Sequence, residues 1–262
     1  MKHVVITGST RGIGFGLAGR FLEKGCRVVV NGTTPEGVER AVKELSAFVG
    51  RVHGVVAEIS SEAGIERLWQ EAEARFGPVD IWVNNAGIGH PMLKLWELPA
   101  ERLERVAAVN LMGVVHGTAI PFRAMTGRGS GKIFTMEGHG SNGGIIDGMS
   151  MYGTTKCAAT YFTKAFAHEA RDSGVSIGRL LPGMVVTDML METVSGDDPE
   201  NAKRRRIYNL LADDVATVSS FLVDGMLAAS GPAPRIEWLT RRKAIFRMLF
   251  GAFRKRDFFS GR

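Results

Sequence analysis

Residues 4–14, VVITGSTRGIG, join a β-branched run to a turn with three glycines. The run predicts a buried strand, and the helical pattern that begins near residue 12 places the turn at the start of a helix. Such a turn lets the backbone approach a pyrophosphate, and the helix N-terminus offers free N–H groups and a partial positive charge. This context predicts a dinucleotide site. The residues predicted to hold the dinucleotide here are Gly8, Ser9, Thr10, Arg11, Gly12, Ile13 and Gly14.

The rest of the chain repeats the alternation of strand and helix. The strands are predicted at 3–7, 27–31, 51–56, 80–84, 132–136, 175–181 and 234–239, and the helices at about 12–24, 36–48, 62–76, 99–125, 152–173 and 213–229. Continuous apolar runs are typical of strands covered on both faces. The pattern therefore predicts an α/β fold, a Rossmann-type doubly wound parallel sheet in one domain. That domain spans residues 1–239, with an irregular substrate loop at about 184–212, and a basic amphipathic segment follows at 240–262.

The composition excludes several classes of protein. The chain has 262 residues, is 45% apolar and carries a net charge of +6, so it can bury a sizeable core and favours anionic partners. Its two cysteines, Cys26 and Cys157, match neither a disulfide framework nor a metal site. We expect no metal and, because no signal peptide or spanning segment is evident, a soluble protein of the cytoplasm.

The second strand indicates which dinucleotide is bound. NAD sites usually place an acid at its end, where the acid binds the ribose 2′-hydroxyl. Here residues 28–34 are VVVNGTT, and the first acid after them is Glu36. Arg11 could instead meet a 2′-phosphate, with Asn31, Thr33 and Thr34 as hydrogen-bonding partners. This favours NADPH; the alternative is that Arg11 is merely solvated.

Two further motifs lie at strand ends or on a helix. Residues 84–87, Asn-Asn-Ala-Gly, follow the fourth strand, where they either tie strand ends together or contact the cofactor. Tyr152 and Lys156 are four residues apart and share a helix face. A lysine one turn away favours the phenolate, so we expect a lowered tyrosine pKa and a general acid for a carbonyl being reduced.

These motifs occur in one order, followed by Pro182-Gly183 and Thr187. Over about residues 1–190 the chain resembles the short-chain dehydrogenase/reductase family. The resemblance implies that Tyr152 donates a proton, that Lys156 binds the nicotinamide ribose, and that Asn110 belongs to a proton relay. It also implies cofactor contacts by Glu58, Asn84, Ala86, Gly87, Tyr152, Lys156, Pro182, Gly183, Val185 and Thr187.

The family's catalytic serine is displaced. Its position holds His139 when counted from the tyrosine, or Gly138 when counted from the fifth strand, and the nearest serine is Ser141. By default Ser141 takes the role of polarising the carbonyl, and His139 competes for it.

This irregularity points to a subfamily. Residues 136–144 (MEGHGSNGG), 151–156 (MYGTTK) and 180–191 (LLPGMVVTDMLM) resemble segments of chlorophyll b reductases, as does the tail at 236–259. The resemblance implies an NADPH-dependent reduction of a chlorophyll b-type formyl group to hydroxymethyl, and a plastid location if the chain is a processed plant-type form. We expect substrate contacts from His139, Met149, Met184 and Met189, because methionine adapts to bulky apolar shapes. Ordinary core filling is the alternative for the methionines.

The tail combines cations with apolar residues. Residues 241–256 include seven Lys and Arg and no acid, which suits either a helix on an anionic membrane surface or packing on protein. The basic run 203–206 is interpreted as a solvated helix face, so we expect no nucleic acid partner.

The leading hypothesis is therefore an NADPH-dependent carbonyl reductase that forms a homo-oligomer, as the family often does. One alternative is a general reductase of an apolar aldehyde or ketone, such as a lipid, steroid or quinone. Another is a non-catalytic NADP(H)-binding sensor or regulatory subunit.

Overall fold

The computed structural model describes residues 1–194, 199–251 and 256–259. These residues form a fully parallel seven-stranded sheet in the order β3-β2-β1-β4-β5-β6-β7, which confirms the predicted doubly wound class. The strands are β1 His3–Ile6, β2 Arg27–Gly32, β3 Val52–Val56, β4 Ile81–Asn84, β5 Gly131–Met136, β6 Val175–Leu181 and β7 Arg235–Glu237. All four residues of β1 and of β4 are buried, as their continuous apolar runs require.

Helices connect the strands on both faces of the sheet. They are α1 Gly12–Glu23, α2 Pro35–Glu44, α3 Glu62–Phe76, α4 Ala100–Ala107, α5 Gly113–Thr126, α6 Ser150–Glu169, α7 Asp188–Glu192, α8 Pro199–Leu211, α9 Val215–Ala228 and α10 Arg241–Phe250. The predicted helix over 99–125 is present as a continuous helical stretch from Ala100 to Thr126, but a π-helical turn at Ala108–Met112, which the sequence pattern did not predict, divides it into α4 and α5. The predicted helix 36–48 ends early, at Glu44, where the chain turns back and lets Phe48 pack on the core.

Two apolar clusters sandwich the sheet. One includes Leu17 and Phe21 of α1 with Leu222 of α9, and the other includes Leu68 of α3, Trp82 of β4 and Met125 of α5. Because β1 pairs with both β2 and β4, the strand order reverses beside β1. In open α/β sheets, ligands bind at this switch point, outside the carboxyl ends of the strands.

Parts of two predicted segments lie outside the described residues: 195–198 of the substrate loop, and 252–255 and 260–262 of the basic tail. The boundary between a domain at 1–239 and a tail at 240–262 stays a prediction. Within the described ranges, none of the helices combines the length and apolar character that crossing a membrane requires.

Candidate active site

The glycine turn after β1 forms a cradle for an anionic group. Gly8 and Gly12 have φ angles of 59° and 57°, which side chains other than glycine rarely adopt. A Cβ at Gly8 would lie 2.8 Å from Ala86, so a larger residue would collide with the loop after β4. The first turn of α1 has no acid, and its N-cap residue, Arg11, makes no capping side-chain bond. The helix N–H groups are therefore open to a phosphate, and this arrangement fits a dinucleotide.

Two residues predicted to bind the cofactor have buried side chains that form hydrogen bonds within the protein. Ser9 and Asn31 are 0% and 1% exposed. The Ser9 hydroxyl donates to the Ile6 carbonyl at 2.7 Å and accepts from the Asn31 N–H at 2.9 Å. The Asn31 amide accepts from the Gly8 N–H at 3.1 Å and donates to the Ala57 carbonyl at 3.0 Å. The Asn31 amide thus joins β2 to its neighbours. Contact of this side chain with a 2′-phosphate stays a prediction.

The other residues on the predicted adenosine side differ in exposure. Arg11 and Thr33 are exposed, Thr10 lies beside Gly32, and Ile13 packs partly on the core. Glu58 makes an ion pair with Arg105 of α4 and accepts from the Ser60 N–H at 3.1 Å. Burial alone would raise the pKa of Glu58, but the bonds from Arg105 and Ser60 outweigh it and lower that pKa. Its contact with adenine remains a prediction.

The Asn-Asn-Ala-Gly run ties β4 to β1. Asn84 is buried, accepts from the Trp82 indole at 2.8 Å and donates to the Thr118 hydroxyl at 3.0 Å. The Asn85 amide donates to the Thr7 and Gly8 carbonyls at 2.9 and 3.0 Å. The Asn84 side chain is hydrogen-bonded within the core, and its contact with a cofactor stays a prediction. Of the two roles left open, tying strand ends is the one these bonds show.

Three predicted site residues lie close together in the structure: Gly87, Asn110 and Lys156. A Cβ at Gly87 would lie 3.4 Å from both Asn110 Oδ1 and Lys156 Nζ. The Asn110 amide, fully buried in the π-helical turn, accepts from the Ile88 N–H at 2.8 Å and donates to the Ile88 carbonyl at 2.9 Å. The predicted relay residue thus lies beside the predicted lysine, but its side chain is occupied by the loop after β4.

Tyr152 and Lys156 share the buried face of α6. Lys156 Nζ lies 5.8 Å from the centre of the Tyr152 ring and donates to the Met136 carbonyl at 3.2 Å. Burial raises the pKa of Tyr152 to about 12. Burial also lowers the pKa of Lys156 to about 8, partly opposed by the charge of Glu137. The predicted lowering of the tyrosine pKa is therefore wrong for this structure, because desolvation dominates. At neutral pH the pair is a neutral phenol and a cation, the states that suit a proton donor.

The position that faces the tyrosine hydroxyl is a glycine. A Cβ at Gly138 would lie only 2.7 Å from Tyr152 Oη and 3.3 Å from Lys156 Cε. The Ser141 hydroxyl instead accepts from the Gly138 N–H at 3.1 Å and donates to the Lys156 carbonyl at 3.4 Å. These bonds fold the loop against α6 but do not support a role in polarising a carbonyl, so that role stays a prediction. His139 is half-buried, and burial lowers its pKa, so its imidazole is neutral at pH 7.

His90 is a site residue that the sequence analysis missed. Its Nε2 accepts from the Tyr152 N–H at 3.2 Å, and its Nδ1 pairs with the Pro91 carbonyl at 2.8 Å. These two bonds together require the tautomer with the proton on Nδ1. Because the N-cap residue Met149 makes no capping bond, His90 satisfies a free N–H in the first turn of α6.

The loop after β6 closes the site from the other side. Thr187 caps α7, and its methyl group lies 3.6 Å from where a Cβ on Gly12 would be, which brings it to the glycine turn. Pro182 and Val185 are buried, and Gly183 turns the chain with a φ of 72°. The backbone of Val185 pairs with that of Asp213 in an isolated bridge, and the Val185 side chain packs in the core.

An apolar rim lies on the loops that adjoin the N-terminal end of α6. Met92 lies under Gly148, and Lys94 pairs with Asp147 at 3.0 Å, so residues 88–97 meet residues 142–149. The exposed apolar side chains of this rim are Leu93, Leu95, Trp96, Ile145, Ile146 and Met189. Of the predicted substrate residues, Met149 begins α6, Met189 lies 3.8 Å from a Cβ placed on Gly89, and Met184 is half-buried beside Asp213.

Comparisons with known proteins agree with this arrangement. The family model for short chain dehydrogenases matches residues 2–198. A chlorophyll(ide) b reductase of Oryza sativa, NOL, is 35% identical over 97% of this chain and 77% of its own length. A probable chlorophyll(ide) b reductase of Arabidopsis thaliana, NYC1, is 29% identical over 98% of this chain. The chain spans 54% of NYC1, about half its length.

Solved structures show the same fold. A 3-ketoacyl-(acyl-carrier-protein) reductase from Brucella melitensis, complexed with NADH, superposes with a TM-score of 0.79 and 26% identity, covering 92% of this chain and 98% of that one. An actinorhodin polyketide ketoreductase with NADPH gives a TM-score of 0.78 and 27% identity, covering 90% and 95%. The chain therefore belongs to the short chain dehydrogenase family, the NAD(P)-dependent oxidoreductases that act on carbonyl and hydroxyl groups.

Proposed function

We propose that this chain is an NADPH-dependent carbonyl reductase that reduces the formyl group of a chlorophyll b-type tetrapyrrole to hydroxymethyl. One observation carries the proposal: the similarity to chlorophyll(ide) b reductases extends over 97–98% of the chain, far beyond the glycine turn and the Tyr-Lys pair. The arrangement around Tyr152 supports the same chemistry.

The cofactor would bind along the glycine turn, at the N-terminus of α1. The preference for NADPH rests on the exposed guanidinium of Arg11 and on the missing acid at the end of β2. Backbone groups from Gly8 to Gly14, near Gly87 and near Thr187 would hold the rest of the molecule. When bound, the reduced dinucleotide supplies the hydride for the carbonyl carbon.

The chain's own residues handle the proton. Tyr152 donates its hydroxyl proton to the carbonyl oxygen, and the buried Lys156 ammonium stabilises the phenolate that remains. Because the Asn110 side-chain amide is bound to Ile88, a proton relay through this residue would use its backbone carbonyl, which lies in the π-helical turn.

The surroundings of the tyrosine favour a large, apolar substrate. Gly138 leaves no side chain against the hydroxyl, and the rim presents Trp96 and Ile145, which are 83% and 93% exposed. Exposed apolar groups of this size at the edge of a site indicate a binding surface. A planar tetrapyrrole could cover them while its formyl group reaches Tyr152.

The test compares two tyrosines of α6. Tyr152→Phe should lower turnover of chlorophyll b with NADPH by about 10²–10⁴-fold, the usual contribution of a general acid, and leave NADPH binding intact. Tyr161→Phe, at a 75% exposed position on the same helix, is the matched control. Product is measured by absorbance and NADPH binding by fluorescence. Undiminished turnover by Tyr152→Phe would overturn the mechanism. Turnover of other apolar aldehydes or ketones but not chlorophyll b would overturn the substrate.

Three finer expectations remain proposals alongside this one. They are self-association, a location in the cytoplasm or a plastid, and contact of residues 241–256 with a membrane surface.

A further inference from the structure

The helix α10 presents its apolar face outward. Lys243, Ala244 and Arg247 lie on its half-buried side, against the rest of the protein. The outward side carries five large apolar residues that are 52–67% exposed: Ile245, Phe246, Met248, Leu249 and Phe250. A surface helix ordinarily turns its apolar stripe towards the core, so this orientation is the reverse of the usual one.

A buried carboxylate explains the reversal. Asp213, whose side chain is 5% exposed, accepts from Arg247 at 2.6 and 3.1 Å and from Arg256 at 3.0 Å. The Trp238 indole donates to it at 2.6 Å, and Lys243 lies over the Trp238 ring. Burial alone would raise the pKa of Asp213, but the bonds from Arg247 and Trp238 lower it, so the carboxylate stays charged.

The same aspartate holds the helix in place relative to the active site. Its N–H donates to the Met184 carbonyl at 3.0 Å, and its carbonyl accepts from the Val186 N–H at 3.0 Å. Breaking the contact of Arg247 with Asp213 would leave a buried charge uncompensated, which is strongly unfavourable. The outward apolar face is therefore a stable feature of the fold.

The charge of the outward face identifies its occupant. Arg241 and Arg242 are exposed at the N-terminus of α10, where the helix dipole disfavours cations, and within the described ranges neither makes an ion pair. Residues 241–251 contain no acid. A second copy of this chain would bring like charges together at the same face, whereas anionic lipid headgroups would complement them.

We infer that α10 docks on an anionic lipid bilayer, with Ile245, Phe246 and Leu249 inserted among the headgroups and acyl ends, and with Arg241 and Arg242 bound to lipid phosphates. A helix with this pattern lies in the plane of the interface without spanning the membrane. The inference does not depend on the proposed reaction, because binding to vesicles needs no turnover.

The experiment uses flotation of the full chain with two kinds of vesicle, phosphatidylcholine alone and phosphatidylcholine with about 30 mol% phosphatidylglycerol. The chain should float with the anionic vesicles, and raising the salt from about 0.1 M to about 0.5 M should weaken binding. Phe246→Ser with Leu249→Ser, and separately Arg241→Glu with Arg242→Glu, should each reduce binding on the order of 10-fold.

Matched control variants carry comparable changes at exposed positions outside α10. They are Val49→Ser with Tyr161→Ser for the apolar pair, and Arg40→Glu with Lys43→Glu on α2 for the charged pair. These controls should bind within about twofold of the parent chain. If circular dichroism shows that the variant with Phe246→Ser and Leu249→Ser is unfolded, the milder pair Arg241→Gln with Arg242→Gln tests the binding.

Three results would overturn the inference: no flotation with anionic vesicles, an equal loss of binding in the control variants, or a dimer in light scattering that only the α10 variants dissociate. The last would identify a second copy as the occupant.

Discussion

The cofactor edge, formed by the ends of β1, β2 and β4, differs sharply from the substrate side, formed by residues 88–97 and 137–149. At the cofactor edge the polar side chains are buried and bonded to the protein: Ser9, Asn31 and Asn84 are 0%, 1% and 3% exposed. On the substrate side large apolar residues face solvent, with Ile145 93% exposed.

The two regions meet different requirements, one for a fixed backbone and one for an exposed binding surface. At the cofactor edge, buried side chains hold the backbone in place, and backbone groups are left free to contact the proposed cofactor. The substrate side exposes large apolar groups that a folded protein usually buries, and this exposure supports the proposed binding surface. Changes at the cofactor edge should therefore alter stability, and changes on the substrate side should alter turnover.

The largest expected effect is at the cofactor edge. Asn31→Ala removes the acceptor of the Gly8 N–H and the donor to the Ala57 carbonyl, and it leaves buried backbone groups unsatisfied. The free energy of unfolding should fall by about 3 kcal/mol, measured by denaturant titration. Asn142→Ala, in an exposed loop, should lower it by less than about 1 kcal/mol. If Asn31→Ala instead weakened NADPH binding at unchanged stability, Asn31 would be a cofactor ligand after all.

Gly138→Val is the corresponding test on the substrate side. The new Cβ would lie 2.7 Å from Tyr152 Oη, so the hydroxyl must move. Misplacing a reacting group by about 1 Å can lower the rate about 10²-fold, so kcat should fall by that order, while circular dichroism stays native-like. Gly144→Val is the control, because a Cβ there would lie 3.1 Å from the exposed Asn142 side chain and in ordinary contact, at 3.6 Å, with His139, while no atom of Tyr152 lies closer than 4.0 Å. Equal activity of the two variants would show that Gly138 does not face the reacting centre.

The pH dependence tests the charge on the buried pair. The pKa of Lys156 is about 8, so the ammonium is present below that pH and lost above it. The rate of reduction should be level near neutral pH and fall about tenfold per pH unit above about 8. Because Glu137 raises the pKa of Lys156, Glu137→Gln should move the fall to lower pH, whereas Glu36→Gln on exposed α2 should not. A fall unchanged by Glu137→Gln would assign it to another group.

The sequence was sufficient for the positions of the strands, the class of sheet, the glycine turn and the Tyr-Lys pair, because these depend on local runs, on the alternation of strand and helix, and on fixed spacings. It could not show that Asn31 turns into the core, since a polar residue after an apolar run has the same pattern whether it faces a ligand or a neighbouring strand. The spacing of apolar and basic residues likewise predicts that α10 has two different faces, but it does not show which face packs against the rest of the protein. The pKa of Tyr152 was mispredicted because its desolvation is a property of the folded site.

His90 gives the smallest expected effect and the most direct link between the two regions. It lies on the substrate side, in the loop that leaves β4 from the cofactor edge, and its Nε2 accepts from the Tyr152 N–H at 3.2 Å. The two residues are 62 positions apart, a distance that no local sequence pattern spans. Loss of one helix cap usually destabilises a protein by about 1 kcal/mol. Because the N–H belongs to the proposed proton donor itself, His90→Ala should lower kcat about fivefold, the equivalent of that energy, with little change in KM.

His90→Asn should recover most of the lost rate, since the Asn side-chain oxygen can accept the same hydrogen bond. His168→Ala, at the exposed end of α6, should leave kcat unchanged. A merely structural role for His90 would lower the unfolding temperature of both His90 variants and spare kcat once the folded fraction is corrected. A fall in kcat for His90→Ala, with recovery of kcat in His90→Asn, would instead show that the loop after β4 positions the tyrosine. The rigid cofactor edge, from which this loop starts, would then set the geometry of the more open substrate side.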